Sequence, residues 1–248
     1  MYICEITYKP GKSFRVGVEN GAPVLLDYTD EELEEQEALC ALGLREELDT
    51  PFLYLLDLLE RPEAIIQQAL GCNQVGLLKL ALEAGGDKCE FVLNGSALHG
   101  AANSGFAEGV EIIKSFMPDP QGALNTALSI AATLNNVGMI TNLLSLGADP
   151  NGSKKKGSSL SGAVVFGGRE TLRALLDAGA DPNLNNAYAL RYAANSGNLT
   201  TIRTILESDI VNKKYVEEIG DIMAEQGRPE IVKVFTDYQK GVRWYEGV

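Results

Sequence analysis

One five-residue run, Gly147-Ala148-Asp149-Pro150-Asn151, returns unchanged 32 positions later as Gly179-Ala180-Asp181-Pro182-Asn183. Identical internal repetition at that period restricts the chain to architectures built from stacked supersecondary units, because one such unit cannot bury its own apolar face. Each copy follows a Leu-Leu pair, Leu143-Leu144 and Leu175-Leu176, and Gly85-Gly86-Asp87 after Leu80-Ala81-Leu82 is a weaker copy.

Upstream of these runs a second element recurs, a short apolar stretch rich in alanine. Its fullest version is Ser96-Ala97-Leu98-His99-Gly100-Ala101-Ala102-Asn103-Ser104-Gly105. Related segments are Thr126 to Ala132, Ser158 to Val164 and Tyr188 to Ala194. Gly105, Asn135, Gly167, Gly197 and Gly227 follow in a column, with Asn73 as an earlier member. Gly and Asn tolerate the left-handed conformation that ends a helix, so the column predicts helix stops. Taken together, the Ala-Leu-His-x-Ala-Ala-x-x-Gly and Leu-Leu-x-x-Gly-Ala-Asp-x-Asn patterns resemble the ankyrin repeat family over about residues 63–238. The resemblance implies a mainly α fold, a solenoid of five to six helix pairs with projecting hairpins, degenerate at both ends where the stack must stop.

Packing chemistry points the same way. Ala131-Ala132 and Ala193-Ala194 allow close helix approach, and Leu143-Leu144, Leu175-Leu176 and Ile205-Leu206 supply faces for neighbouring units to bury. Residues 1–62 follow different rules. Alternation in Phe14-Arg15-Val16-Gly17-Val18 predicts a strand, flanked by turn signals at Pro10-Gly11 and Asn20-Gly21. Two or three strands are expected between Ile3 and Leu26. Thr29-Asp30-Glu31-Glu32 is a capping-box pattern that predicts a helix, and Thr50-Pro51 starts another through Leu58-Leu59. The expected organisation is a small α+β segment over 1–62, either a cap on the array or a module of its own, then the array over 63–238 and a capping tail over 239–248.

The net charge of −13 is unevenly spread, with 14 acidic and 5 basic side chains in residues 1–62. Such acidity disfavours direct binding to nucleic acid or anionic membranes and favours basic protein surfaces. No stretch has the length of apolar residues needed to cross a bilayer, and the first residues lack a signal-peptide layout, so a soluble cytoplasmic protein is expected, or one acting in a host cytosol if it is delivered there. Cys4, Cys40, Cys72 and Cys89 are widely spaced and read as buried free thiols rather than disulfides or a zinc site.

Catalytic signals are weak. Lys9-Pro10-Gly11-Lys12-Ser13 contains Gly-Lys-Ser, but Ile6 stands where a phosphate loop needs glycine, so a turn between strands is the better reading. His99 is the single histidine, which excludes multi-histidine metal centres. It occupies the His position of the family pattern, where the resemblance implies a hydrogen-bonding role linking adjacent hairpins. No cofactor, metal or catalytic residue is assigned.

The resemblance also implies where a partner would sit, at the hairpin tips and the two variable positions before each helix-ending residue. Those positions are Asn103 and Ser104, Thr133 and Leu134, Val165 and Phe166, and Asn195 and Ser196. Phe166 is either an exposed aromatic anchor or, if its unit is shifted, part of the core. Lys154-Lys155-Lys156 forms a basic tip that either meets an acidic patch or only solubilises a loop; Tyr188 and Arg191 add side-chain types favoured at interfaces. The expected function is non-enzymatic binding of another protein by a monomer, on the concave face. One alternative is an effector or inhibitor whose acidic front blocks a basic, nucleic-acid-binding-like site; another is an enzyme using Cys40 or an acid near Asp30 at the junction of front segment and array.

Overall fold

The computed structural model of the chain describes residues 3–9, 12–19, 22–41, 46, 49–84, 89–152, 159–242 and 244. The chain divides into two compact units, residues 1–120 and residues 121–248.

The first unit opens with an antiparallel meander in the order β1-β2-β3, formed by β1 (Ile3–Lys9), β2 (Lys12–Glu19) and β3 (Ala22–Leu25). Period-two alternation buries Phe14 and Val16 and leaves Arg15 outside, where it pairs with Asp27 at 2.6 Å. The turns expected at residues 10–11 and 20–21 lie outside the described residues, but the strands they join pair as anticipated, Lys9 with Lys12 and Glu19 with Ala22. Lys12 and Ser13 are therefore strand residues.

Helix α1 (Asp30–Ala41) begins with the capping box. The Thr29 N–H donates to the Glu32 carboxylate at 2.8 Å, and the Glu32 N–H returns a bond to the Thr29 hydroxyl at 3.3 Å. The bonds that the Thr29 N–H and hydroxyl donate to it hold the Glu32 carboxyl below the usual glutamate value. No residue of α1 with a described side chain is fully buried, in contrast to α2 (Thr50–Glu60), which is capped by Asp49 and buries Phe52, Leu55 and Leu58. β3 packs on α2, and the Phe14 ring meets the Tyr54 ring edge-on at 5.8 Å. Two helix pairs complete the unit: α3 (Pro62–Gly71) with α4 (Val75–Glu83), then, after the single turn α5 (Glu90–Leu93), α6 (Ser96–Asn103) with α7 (Ala107–Phe116). β1 and β2 lie against α4, while α3 stacks on α6 and α4 on α7.

The second unit holds four further pairs: α8 (Gln121–Thr133) with α9 (Val137–Ser145), α10 (Ser159–Phe166) with α11 (Arg169–Asp177), α12 (Leu184–Ser196) with α13 (Leu199–Leu206), and α14 (Lys213–Glu225) with α15 (Pro229–Gln239). First helices stack in one layer, α8-α10-α12-α14, and second helices in another, α9-α11-α13-α15. Ala131, Ala132, Ala193, Ala194, Leu143, Leu175 and Ile205 are buried between the layers, so the core is the set of joins between neighbours. Each unit is thus mainly α and built from stacked helix pairs, the first with a small antiparallel sheet at its start.

The repeated five-residue run has a mechanical reading. Gly147 and Gly179 are left-handed, at φ 94° and 87°. Asp149 and Asp181 each accept the backbone N–H two residues on, closing a tight turn. The asparagine then spans to the next hairpin: Asn151 donates to the Gly179 carbonyl at 2.9 Å and accepts from the Asp181 N–H at 2.8 Å, and Asn183 does the same to the Ile210 carbonyl and Asn212 N–H. Gln121 and Asn125 supply an equivalent bridge to Gly147 and Asp149. A primary amide suits this place because it carries a donor and an acceptor side by side.

Two expectations need correction. Asn73, Gly105, Asn135, Gly197 and Gly227 are left-handed as the column predicts, but Gly167 is not. Instead the Asn135 side chain reaches across from the preceding pair and accepts from the Gly168 N–H at 2.7 Å and the Thr171 hydroxyl at 2.6 Å, so the helix turn is closed by a neighbour. Gly167 is needed for space, since a Cβ there would lie 2.7 Å from the Ala163 carbonyl oxygen. The thiols are the second correction. Cys40 and Cys72 are exposed and Cys89 is half-buried, while the side chain of Cys4 lies outside the described residues.

Candidate protein-binding face

In three successive pairs of the second unit, the residues before the helix stop of α8, α10 and α12 occupy equivalent positions: Thr133-Leu134, Val165-Phe166 and Asn195-Ser196. Leu134 is 49% exposed and Phe166 71% exposed, so the aromatic ring stands in solvent and its unit is not shifted into the core. Val165 is half-buried and Thr133 is exposed. α10 lies close to α8 at Gly162, where a Cβ would sit 2.9 Å from the Thr133 methyl carbon and that side chain would have to shift.

Tyr188 and Arg191 belong to α12. Tyr188 is 43% exposed and stacks on Tyr192 with ring centroids 6.1 Å apart. The Arg191 guanidinium is held from two sides, by the Glu218 carboxylate at 2.9 Å and by the Asn186 carbonyl at 2.8 Å. That carbonyl belongs to a feature the sequence reading missed. Asn185, Asn186 and Ala187 are all left-handed, at φ 54°, 59° and 55°, which costs on the order of 1–2 kcal/mol for each non-glycine residue. The Asn185-Asn186 pair was the available signal, since Asn tolerates this region better than other side chains. The strained turn delivers Tyr188 to the surface and gives Arg191 a fixed acceptor.

Asn195 and Ser196 are exposed. A second missed residue closes this helix end. Arg228, from the next helix pair, donates to the Ala194 and Asn195 carbonyls at 2.9 and 2.7 Å, placing a cation at the negative end of α12. No local pattern announces it, because donor and acceptors are more than thirty residues apart. Lys154, Lys155 and Lys156 lie outside the described residues.

His99 is half-buried in α6 of the first unit. Among the described residues, no three or more His, Cys, Asp or Glu side chains are grouped to hold a metal ion, and no helix is long and apolar enough to cross a membrane. Two cavities of the second unit, about 560 and 530 Å³, are lined by other residues than those of the face.

No curated protein matches the chain. The family model for the ankyrin repeat matches residues 124–155, a span containing most of α8, all of α9 and the Gly147–Asn151 hairpin. Ankyrin repeats in general mediate binding to other proteins and are typically non-enzymatic. Residues 124–155 thus match an ankyrin repeat, and the helix pairs that follow them in the second unit stack on that repeat as a helical-repeat array does.

Proposed function

We propose that the second unit binds another protein, without catalysis, on the exposed face of α8, α10 and α12, the concave side in the family's terms. Leu134 and Phe166 are its apolar anchors, and Thr133, Val165, Tyr188, Arg191, Asn195 and Ser196 surround them. The carrying observation is the exposure of Leu134 and Phe166 at the same position of adjacent pairs. Large apolar side chains held in water by rigid helices gain from being covered, and such anchors dominate interface energies. The prepositioned Arg191 adds a charged group whose ordering cost has already been met by Glu218 and Asn186. Lys154 to Lys156 would speed encounter with an acidic partner.

In this reading the protein works as a monomer in the cytosol, and a net charge of −13 argues against nucleic acid as its direct ligand. The front segment, residues 1–62, serves as a cap, a role supported by the packing of β1 and β2 on α4 and of β3 on α2. The test is affinity capture from a native lysate with quantitative mass spectrometry, using the intact chain and a Phe166→Asp variant whose fold is checked by circular dichroism. A partner lost from the variant supports the face; one retained at equal yield refutes it.

A second reading is favoured by the carboxylates of α1. Among the described residues, Asp30, Glu31, Glu34, Glu35 and Glu37 enter no ion pair, so the front segment presents a negative surface able to engage a basic site on a partner.

A further inference from the structure

The acidic helix borders an apolar groove. Within the first unit, β3, α1 and α2 enclose a concavity of about 500 Å³. Its apolar lining includes Val24, Leu25, Leu33, Leu55, Leu56 and Leu59. Leu59 is 52% exposed, Leu33 and Leu56 are half-buried, and α1 brings no fully buried described side chain to the segment. Among the described residues, apolar surface is therefore left exposed at this concavity.

Charge is arranged around this opening with a direction. On α1 the groove-lining residues are Leu33, Glu37 and Cys40, spaced i, i+4, i+7 along one stripe. Helical periodicity puts Asp30 beside Glu37 towards the groove and Glu34 on the adjoining flank, whereas Glu31 and Glu35 fall on the opposite side of the helix. Among the described residues of the segment, Arg15 is engaged with Asp27 and Arg61 with Asp57. The groove is thus apolar in its lining and negative along its α1 rim.

We infer that this groove receives a basic amphipathic helix of a partner protein, with leucine-type side chains on the apolar lining and lysine or arginine side chains against Asp30, Glu34 and Glu37. A strand is a poorer occupant, because Pro23 of β3 offers no amide donor to an added ladder. An acidic helix is excluded by repulsion at the rim. The inference rests on the second reading above, that the front segment makes a contact of its own, and it names the site and the partner's chemistry.

The probe is a labelled amphipathic peptide with leucines at i, i+3, i+4 and i+7 and lysines elsewhere, titrated into the full chain by fluorescence anisotropy. Controls are a Leu/Glu peptide of the same spacing and a Leu/Lys peptide with its leucines scattered around the helix. Binding of the first peptide alone is expected, falling about tenfold or more in Leu59→Asp, which removes part of the apolar lining while adding attraction for lysine. Leu59→Ser serves as the milder variant should Leu59→Asp unfold. Glu37→Lys weakens binding more than Glu35→Lys if the rim is directional. Equal weakening by both reversals with Leu59→Asp and Leu59→Ser silent would overturn the groove and leave a diffuse acidic contact. Binding of the scattered peptide as tightly as the amphipathic one would overturn the groove as well, and no binding of any peptide would overturn both the groove and the acidic contact.

Discussion

The front segment and the second unit are held together by different physics. In residues 1–62 local signals set the elements: alternation makes the sheet, Thr29 and Asp49 cap the helices, and α1 contributes no fully buried described side chain. In residues 121–239 Asn136, Asn198 and Asn212 also cap helices, but the elements are further tied by joins between pairs, through the leucines and alanines buried between layers and the amides that bridge hairpins. A local signal fails locally. A join fails for both of its neighbours, so damage to the second unit should spread where damage to α1 should not.

The largest break expected is at Leu143, which is fully buried between pairs. Leu143→Ala should cost about 2–5 kcal/mol, read as a lower urea midpoint, with exchange protection lost in α9 and α11 together. Next is the amide ladder. Asn183→Ala removes both halves of a bridge and leaves the Asn212 N–H and Ile210 carbonyl to find water, costing about 1–3 kcal/mol in chemical denaturation. Faster exchange of the Asn212 amide would locate the effect. Thr29→Ala sharpens the contrast from the other side: a loss of about 1 kcal/mol should appear as faster exchange in α1 alone, with the repeats unchanged. Exchange rising throughout the second unit would contradict the comparison.

The smallest effect belongs to Arg15 and Asp27. Hydrogen bonding to Arg15 holds the Asp27 carboxyl below its ordinary value. A lowered carboxylate stabilises the fold above the ordinary aspartate range, and that contribution is lost as pH falls through the lowered value. Both side chains are well exposed, so solvent screening keeps the term small. Asp27→Asn should flatten the acid limb of the stability curve slightly and leave neutral stability nearly unchanged.

How much was legible follows the same division. The hairpin runs, the alanine pairs, the meander and the Thr29 box could be read directly, because each is a local rule or an internal copy. Gly167 could not, since its letter matches Gly197 while its role is set by an Asn135 side chain from another pair. Arg228 escaped for the same reason, acting on carbonyls more than thirty residues away. At the binding face, Phe166 was legible as an outlier in its column but not as exposed, because exposure depends on how α10 meets α8 at Gly162. The left-handed turn before Tyr188 required seeing that two asparagines in a row license a conformation that Ala187 then has to share.

The most direct test of protein binding through the α8-α10-α12 face is a hydrogen–deuterium exchange footprint of the intact chain with its captured partner. Protection centred on residues 133–134, 165–166 and 188–196 is the expected result. Protection confined to residues 22–60, with that face exchanging as in the free protein, would contradict it and assign binding to the acidic front.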